Sequence, residues 1–378
     1  MIKEARRLLK EIYGYDDFRR GQKIIVDSVL KGRDTLGVMS TGGGKSICYQ
    51  VPALLFKGIT IVISPLISLM KDQVDSLRLL GVKSIYINST LSKEEYLLSV
   101  KKLKSGEAKI VYVAPERLAN EKFVEFIKRF KISMIAVDEA HCISQWGHDF
   151  RKSYLEIPTF MQKIGQRVQI LALTATATKE VRKDIEDKLT LHNPFVYVHG
   201  FDRENIFFKV VRNVVAEAYI VDYLKKAQKK SGIIYASTRK EVDNLYAYLK
   251  LRDISVGKYH AGLTEDERRE NQERFIKDEI QIMVATNAFG MGIDKSNVRF
   301  VIHRNIPKDM ESYYQEAGRA GRDGAPAEAI LMFYEEDVST QTFLIDSNEE
   351  TSDDSKTETD GRCAGSLGRR IHIPLYPD

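Results

Sequence analysis

The sequence predicts an α/β fold of two parallel-sheet domains in tandem, and three observations carry that reading. Short apolar runs alternate with longer helical patterns over residues 35–191, a second series of the same kind starts near Ile206, and 378 residues exceed one ordinary hydrophobic core. In the first series the strand candidates are 35–39, 59–64, 84–87, 109–114, 132–137 and 168–173. In the second they are 232–235, 256–259, 281–285, 299–302 and 329–333, with helical stretches at 239–252 and 264–277 between them. Such alternation argues for parallel strands covered by helices on both faces. The joint falls near 195–205, which gives a first domain over 1–200 and a second over 201–346. Residues 347–378 are acidic and Ser/Thr-rich with almost nothing to bury, so a disordered tail is expected there.

Composition narrows the class. The chain is 43% hydrophobic and 29% charged, as soluble globular proteins are. Its net charge is only +5, but residues 349–360 hold a local charge of −5, which leaves about +10 on the remainder, a better match for a polyanionic partner. Cys48, Cys142 and Cys363 lie far apart, so neither a disulfide framework nor a zinc site is expected. The N-terminus begins like a charged amphipathic helix without the apolar core of a signal peptide, and no run approaches 18 apolar residues, so a cytoplasmic protein off the membrane is expected.

Chemistry first shows itself after the apolar strand at 35–39. Ser40-Thr41-Gly42-Gly43-Gly44-Lys45-Ser46 follows it and leads into a helical run at 47–56. Glycines here let backbone N–H groups turn inward, and the following helix N-terminus favours negative charge. Lys45 would reach the β- and γ-phosphates of a nucleotide, and the Ser46 hydroxyl would ligate Mg²⁺. Met39 stands at the first glycine position of the strict GxxxxGK[ST] pattern. Some 90 residues later the buried strand at 132–137 ends in Asp138-Glu139-Ala140-His141. There Asp138 would serve Mg²⁺ and Glu139 would orient the attacking water. The loop continues with Trp146, the chain's one tryptophan, then His148, Phe150 and Arg151. A tryptophan beside a phenylalanine also reads as core packing. The polar neighbours Ser144, Gln145, His148 and Asp149 favour a nucleic-acid surface instead.

Taken in order, these motifs resemble the ATPase core of the RecQ family of DNA helicases, within helicase superfamily 2, over about residues 8–345. The resemblance implies two RecA-like domains with a nucleotide cleft between them. It also assigns roles. Residues 13–22 resemble the family's N-terminal motif, in which Tyr15 and Arg19 would sandwich adenine and Gln22 would bond its edge; without the resemblance they read as a helix cap with a core tyrosine. Segments 64–73 and 113–118 resemble motifs that hold the nucleic-acid backbone. Thr174 and Thr176, in Leu173-Thr174-Ala175-Thr176-Ala177, resemble the motif coupling the Asp138 strand to the second domain. Residues 285–294 resemble the cleft motif in which Asp294 could bind ribose or position water. Gln315 to Gly324 contains Gly318-Arg319-Ala320-Gly321-Arg322, whose arginines three apart are expected on one helix face. Arg322 would be the arginine finger, with Arg319 and Gln315 assisting at the γ-phosphate. The aromatic-rich loop, with His141, Trp146, His148, Phe150 and Arg151, would report bound DNA, Arg151 relaying toward the phosphates.

The implied activity is ATP-dependent 3′→5′ unwinding of DNA in recombination or repair, with ATP and Mg²⁺ as cofactors. Single-stranded and tailed double-stranded DNA would be the partners, and a monomer, nucleoid-associated if bacterial, the working form. RecQ-family proteins usually continue into a four-cysteine zinc module and a winged helix, and this sequence shows neither, which suggests a truncated product, a frameshifted end or a short family variant. Two alternatives stay open: a DNA-stimulated ATPase or translocase without productive unwinding, and a non-enzymatic nucleic-acid-binding remnant.

Overall fold

The computed structural model describes residues 1–147, 149–198, 203–290, 295–339 and 342, without the Ser68 side chain. Residues Met1–Tyr334 form one compact unit, and Glu335 opens a second, of which 335–339 and Thr342 are described. The expected tail at 347–378 lies outside the described residues.

Two N-terminal helices, α1 (Ile2–Tyr13) and α2 (Arg20–Leu30), precede the first sheet. Gly14 ends α1 in the left-handed region at φ 75, a conformation that a residue without Cβ adopts freely. Seven strands then follow: β1 (Thr35–Val38), β2 (Ile59–Ile63), β3 (Ser84–Ile87), β4 (Ile110–Val113), β5 (Ile132–Val137), β6 (Gln169–Thr174) and β7 (Phe195–Val198). Their order is β3-β4-β2-β5-β6-β1-β7, and every pairing is parallel. Helices α3 (Ile47–Leu55), α4 (Ile67–Leu79), α5 (Lys93–Lys104), α6 (Glu121–Ile127), α7 (Glu156–Lys163) and α8 (Lys179–Lys188) make the crossovers.

Alternate residues of each strand feed opposite faces. Leu36, Val38, Ile61, Ile63, Ile135 and Val137 pack on one side, and Val62, Tyr112, Met134 and Ala136 on the other. Both faces of a parallel sheet are therefore dry, which is why its strands read as continuous apolar runs. Gly37 in β1 lets α2 come close: a Cβ there would lie 2.7 Å from Ile25 Cδ1 and 2.8 Å from Leu173 Cδ2.

The second sheet is built from β8 (Ile206–Arg212), β9 (Ser231–Tyr235), β10 (Val256–Tyr259), β11 (Ile282–Ala285), β12 (Val298–His303) and β13 (Ala327–Phe333), in the order β10-β11-β9-β12-β13-β8 and again parallel. Its helices are α9 (Ala216–Lys226), α10 (Arg239–Lys250), α11 (Glu265–Ile276) and α12 (Met310–Ala317). Capping boxes at Thr238 and Thr264 start α10 at the residue that the sequence suggests and α11 one residue inside it.

Two expectations need correction. The region assigned to the joint contains β7, an edge strand on β1 whose four residues, apolar or aromatic in sequence, alternate between half-buried and exposed. Arg319 and Arg322 do not share a helix face: α12 ends at Ala317, and both arginines sit in the turns that follow. Gly318 caps the helix and Gly321 turns the chain at φ 58. Among the described residues no helix is long and apolar enough to cross a membrane.

Candidate functional site

In parallel sheets the loops after the strands gather at one edge, where ligands bind. The loop after β1 is the glycine-rich segment, with Gly42 at φ 78 and Gly44 at φ 73, both in the left-handed region. Its carbonyls are held from outside. Gln22 Nε2 donates to Gly43 O at 3.3 Å and Gly44 O at 3.1 Å, Gln22 Oε1 accepts from Arg19 N at 2.9 Å, and Arg19 Nη1 donates to Gly42 O at 2.7 Å. Both ends of the Gln22 amide are thus engaged by backbone, while Tyr15 stands 59% exposed at the rim. The motif expected at the base grips the phosphate loop in this conformation.

Asp138 follows β5 directly, and its N–H donates to Ile63 O at 2.8 Å. Burial, then the charge of Glu139, pushes its carboxyl up to about 7, with Lys45 pulling the other way. Glu139 has φ 46 and ψ 49, a left-handed conformation that a non-glycine residue adopts at a cost. The strain turns its side chain toward the cleft, and its Oε2 lies 3.4 Å from His141 Nδ1. Fully buried His141 places Nδ1 2.7 Å from Thr174 Oγ1, whose hydroxyl donates to Thr176 O at 2.9 Å. Since the threonine proton is committed to that carbonyl, Nδ1 of His141 is assigned the proton it gives to Thr174. Buried Tyr154, just past the loop, donates its hydroxyl to Asp138 O at 2.7 Å.

The aromatic loop presents Trp146 at 79% exposure, so core packing is not its role. Phe150 is half-buried, and Thr176 Oγ1 is buried without a hydrogen bond. Arg151 does not line the cleft. Its Nε and Nη2 each lie 3.1 Å from Asp149 Oδ2, and Nη1 donates to Pro65 O at 3.1 Å, so it ties the loop to the segment opening α4. Among the described residues one group, His141, Cys142 and Asp149, lies close enough to share a metal ion. Arg151 already occupies Asp149 there, and burial followed by the charge of Asp149 holds the Cys142 thiol far above its ordinary value. His148 and Asp294 lie outside the described residues.

From the second sheet come Gln315 on α12 and Arg319 and Arg322 beyond it. Buried Arg319 donates Nη1 to Gly290 O and leaves Nε without a hydrogen bond. With Lys45, Ser46, Asp138 and Glu139 these residues line a single cavity of about 700 Å³. One residue beside this cavity carries no signal in the sequence reading. Arg203 donates Nη1 to Thr41 O at 2.6 Å and Gly318 O at 3.0 Å, and Nη2 to Ala320 O at 3.0 Å and Gly321 O at 3.2 Å.

The residue set fits a magnesium nucleotide. Ser46 and Asp138 are the oxygen donors a hard cation takes, and the buried Thr41 Oγ1 and Arg319 Nε are polar atoms without a partner in the protein. The glycine turns leave a cradle as well: a Cβ on Gly44 would fall 2.3 Å from Gln22 Nε2.

Comparison with known proteins agrees with this geometry. Residues 19–184 match the DEAD/DEAH box helicase family and residues 215–324 the helicase conserved C-terminal domain. The chain is 51% identical over 350 residues to the ATP-dependent DNA helicase RecQ of Bacillus subtilis, covering 92% of this chain and 59% of that one. It is 37% identical to the probable ATP-dependent DNA helicase RecS of the same organism, covering 93% of this chain and 71% of the relative. A solved structure of the DUF1998 helicase MrfA bound to DNA and AMPPNP shares the fold, with a TM-score of 0.73 at 19% identity over 93% of this chain and 52% of that one. The chain spans 59% of the Bacillus RecQ and 52% of the RecQ of Pasteurella multocida. Two family models on the two sheets, and relatives this similar along nine-tenths of its length, place the chain in the RecQ family of ATP-dependent DNA helicases.

Proposed function

We propose that this chain is an ATP-dependent DNA helicase core that moves 3′→5′ along single-stranded DNA and separates the duplex it meets. The observation that carries the reading is the shared cavity: the phosphate loop and both carboxylates enter it from one sheet, Gln315, Arg319 and Arg322 from the other. The relatives' names support the choice of polymer. The direction rests on the family resemblance. Recombination or repair is the proposed setting, and a monomer the proposed form.

When bound, Mg-ATP supplies the phosphoanhydride whose hydrolysis is exergonic, and the chain's own residues do the rest. Gly42, Gly43 and Gly44 offer backbone N–H groups, Lys45 neutralises the β- and γ-phosphates, and Ser46 with Asp138 holds the cation. Glu139 accepts a proton from the attacking water, kept in place by its left-handed backbone. Arg322, with Arg319 and Gln315, brings positive charge to the developing transition state, a contribution of roughly 10³–10⁵ in rate in nucleotide hydrolases of this type. Tyr15 and Arg19 cover the base, and Gln22 reaches it once it releases the phosphate loop.

Coupling to DNA runs through Thr174. Trp146 meets the strand, and its loop contains His141, whose Nδ1 bridges Thr174 and lies beside Glu139. Arg151 transmits through Pro65 and α4. The test measures ATP turnover with and without single-stranded DNA, and release of a labelled strand from 3′- and 5′-tailed duplexes. Stimulated turnover with release from the 3′-tailed duplex is expected. Turnover indifferent to DNA would sink the reading, and stimulated turnover without strand release would leave a translocase in its place.

A further inference from the structure

We propose that Arg203 is a positioning residue that sets the register between the phosphate loop and the arginine turn. Its guanidinium hydrogen-bonds only neutral oxygens and is not itself part of the cavity wall, so any effect on turnover passes through what it holds. Its guanidinium donates to Thr41 O, in the phosphate loop, and to the carbonyls of Gly318, Ala320 and Gly321, in the turn that presents Arg319 and Arg322. Asn205 Oδ1 takes the remaining Nε–H at 3.4 Å, while Asn205 Nδ2 donates to Gly321 O at 2.8 Å and Ala325 O at 3.0 Å, so the turn is held twice.

The two loops meet at van der Waals distance beneath this fork. A Cβ on Gly318 would lie 3.2 Å from Thr41 Cβ, and one on Gly42 would lie 3.2 Å from Arg322 Cγ. Three of the four carbonyls follow the C-terminal end of α12, where the helix dipole favours a cation. A planar fork of fixed donors spans acceptors on two loops, whereas a lysine ammonium, a point on a flexible stem, cannot reach them together.

The electrostatics give the register a direction. All of the guanidinium's acceptors are neutral oxygens, and the neighbouring Arg19 is another cation. With Lys45, Arg319 and Arg322 nearby, the closed arrangement stays short of negative charge until a polyanion enters the cleft. Arg203 therefore makes closure of the arginine turn onto the phosphate loop depend on the nucleotide's phosphates.

Because this role presupposes that the cleft hydrolyses ATP, the experiment has one arm independent of turnover. In the first arm, kcat and KM for ATP are measured with saturating single-stranded DNA for the wild type, Arg203→Gln, Arg203→Lys, Arg322→Ala and the Arg203→Gln/Arg322→Ala double variant. Both Arg203 variants are expected to lose at least about tenfold in kcat with KM within about threefold, and the double variant to be no slower than Arg322→Ala alone. An Arg203→Lys protein with wild-type kcat, or a double variant whose losses multiply, would overturn the proposal. In the second arm, spin labels at Leu79→Cys and Leu251→Cys, 90% and 83% exposed and one on each sheet's helices, report the inter-sheet distance in a Cys363→Ser background with a non-hydrolysable ATP analogue. A single narrow distance is expected for the parent and a broadened, longer distribution for Arg203→Gln; identical distributions would also overturn it. Should the parent prove unable to hydrolyse ATP, the ATPase reading fails while the distance arm still decides the role of Arg203.

Discussion

Replacing Thr174 with valine removes one hydroxyl and almost no volume, which makes it the sharpest probe of the coupling chain. That hydroxyl accepts from His141 Nδ1 at 2.7 Å and donates to Thr176 O at 2.9 Å, and Thr174 and His141 are fully buried. Each partner left unsatisfied costs about 1–3 kcal/mol. His141 Nδ1 can turn to Glu139 Oε2, already 3.4 Å away, so its loss is recovered, and Thr176 N–H gives up only a long 3.4 Å bond to the same hydroxyl. The expected net destabilisation is about 1–3 kcal/mol, read from the urea midpoint at unchanged slope. The functional consequence is separate. With its proton given to Glu139 instead of Thr174, His141 holds that carboxylate in one place whatever the loop does. The ratio of DNA-stimulated to DNA-free ATP turnover is then expected to fall by about tenfold. Lost stability with an intact stimulation ratio would make the chain a structural fixture only. An unchanged midpoint and ratio would refute the geometry itself.

Other outcomes follow from the same contacts. Trp146, the single tryptophan and 79% exposed, is expected to emit as a solvated indole and to change on adding single-stranded DNA, and Trp146→Ala to abolish DNA stimulation with no shift in the unfolding midpoint; stimulation that survives the substitution rules out its role. Gln22→Ala frees the Gly43 and Gly44 carbonyls and is expected to weaken nucleotide binding about tenfold by calorimetric titration, with unaltered affinity counting against its grip on the loop. Asp278→Asn leaves buried Lys295 without its carboxylate 2.7 Å away and is expected to cost about 1–3 kcal/mol, moderated because Asp278 is half-exposed. A hydrogen bond from Lys295 first of all holds the Asp278 carboxyl below its ordinary range. A depressed carboxyl stabilises fully above its unfolded value and loses that contribution as pH falls through its folded value, so wild type and variant should converge toward low pH in acid unfolding; a gap independent of pH would contradict the pair.

That the glycine-rich loop and Asp138-Glu139 would meet at one sheet edge is legible because each follows a buried apolar strand, and such strands announce themselves in sequence. β7 and β8 were harder. Each lies at a sheet edge with much of its surface exposed, and their short apolar stretches, Phe195–Val198 and the one that Lys209 interrupts in β8, do not say which sheet they join. Spacing alone placed Arg319 and Arg322 on a helix, but three-residue periodicity carries meaning only while the helix continues, and Gly318 and Gly321 end it. Arg203 was invisible for another reason. Its acceptors are backbone carbonyls 115 to 162 residues away, and a carbonyl has no side-chain signature to read. Gln22 was identified as polar and important, yet the amide that suits an adenine edge suits two loop carbonyls equally well.

Glu139, at φ 46, has a consequence for how this chain tolerates change. A left-handed L-residue there stores on the order of 1 kcal/mol that asparagine or glycine would release. Substitution by either would therefore yield a protein expected to fold at least as well while losing turnover. A screen for solubility or thermal tolerance would enrich dead variants at residue 139, and a screen for turnover would discard them. Opposite outcomes of the two screens at one backbone position would mark where stability was given up for chemistry.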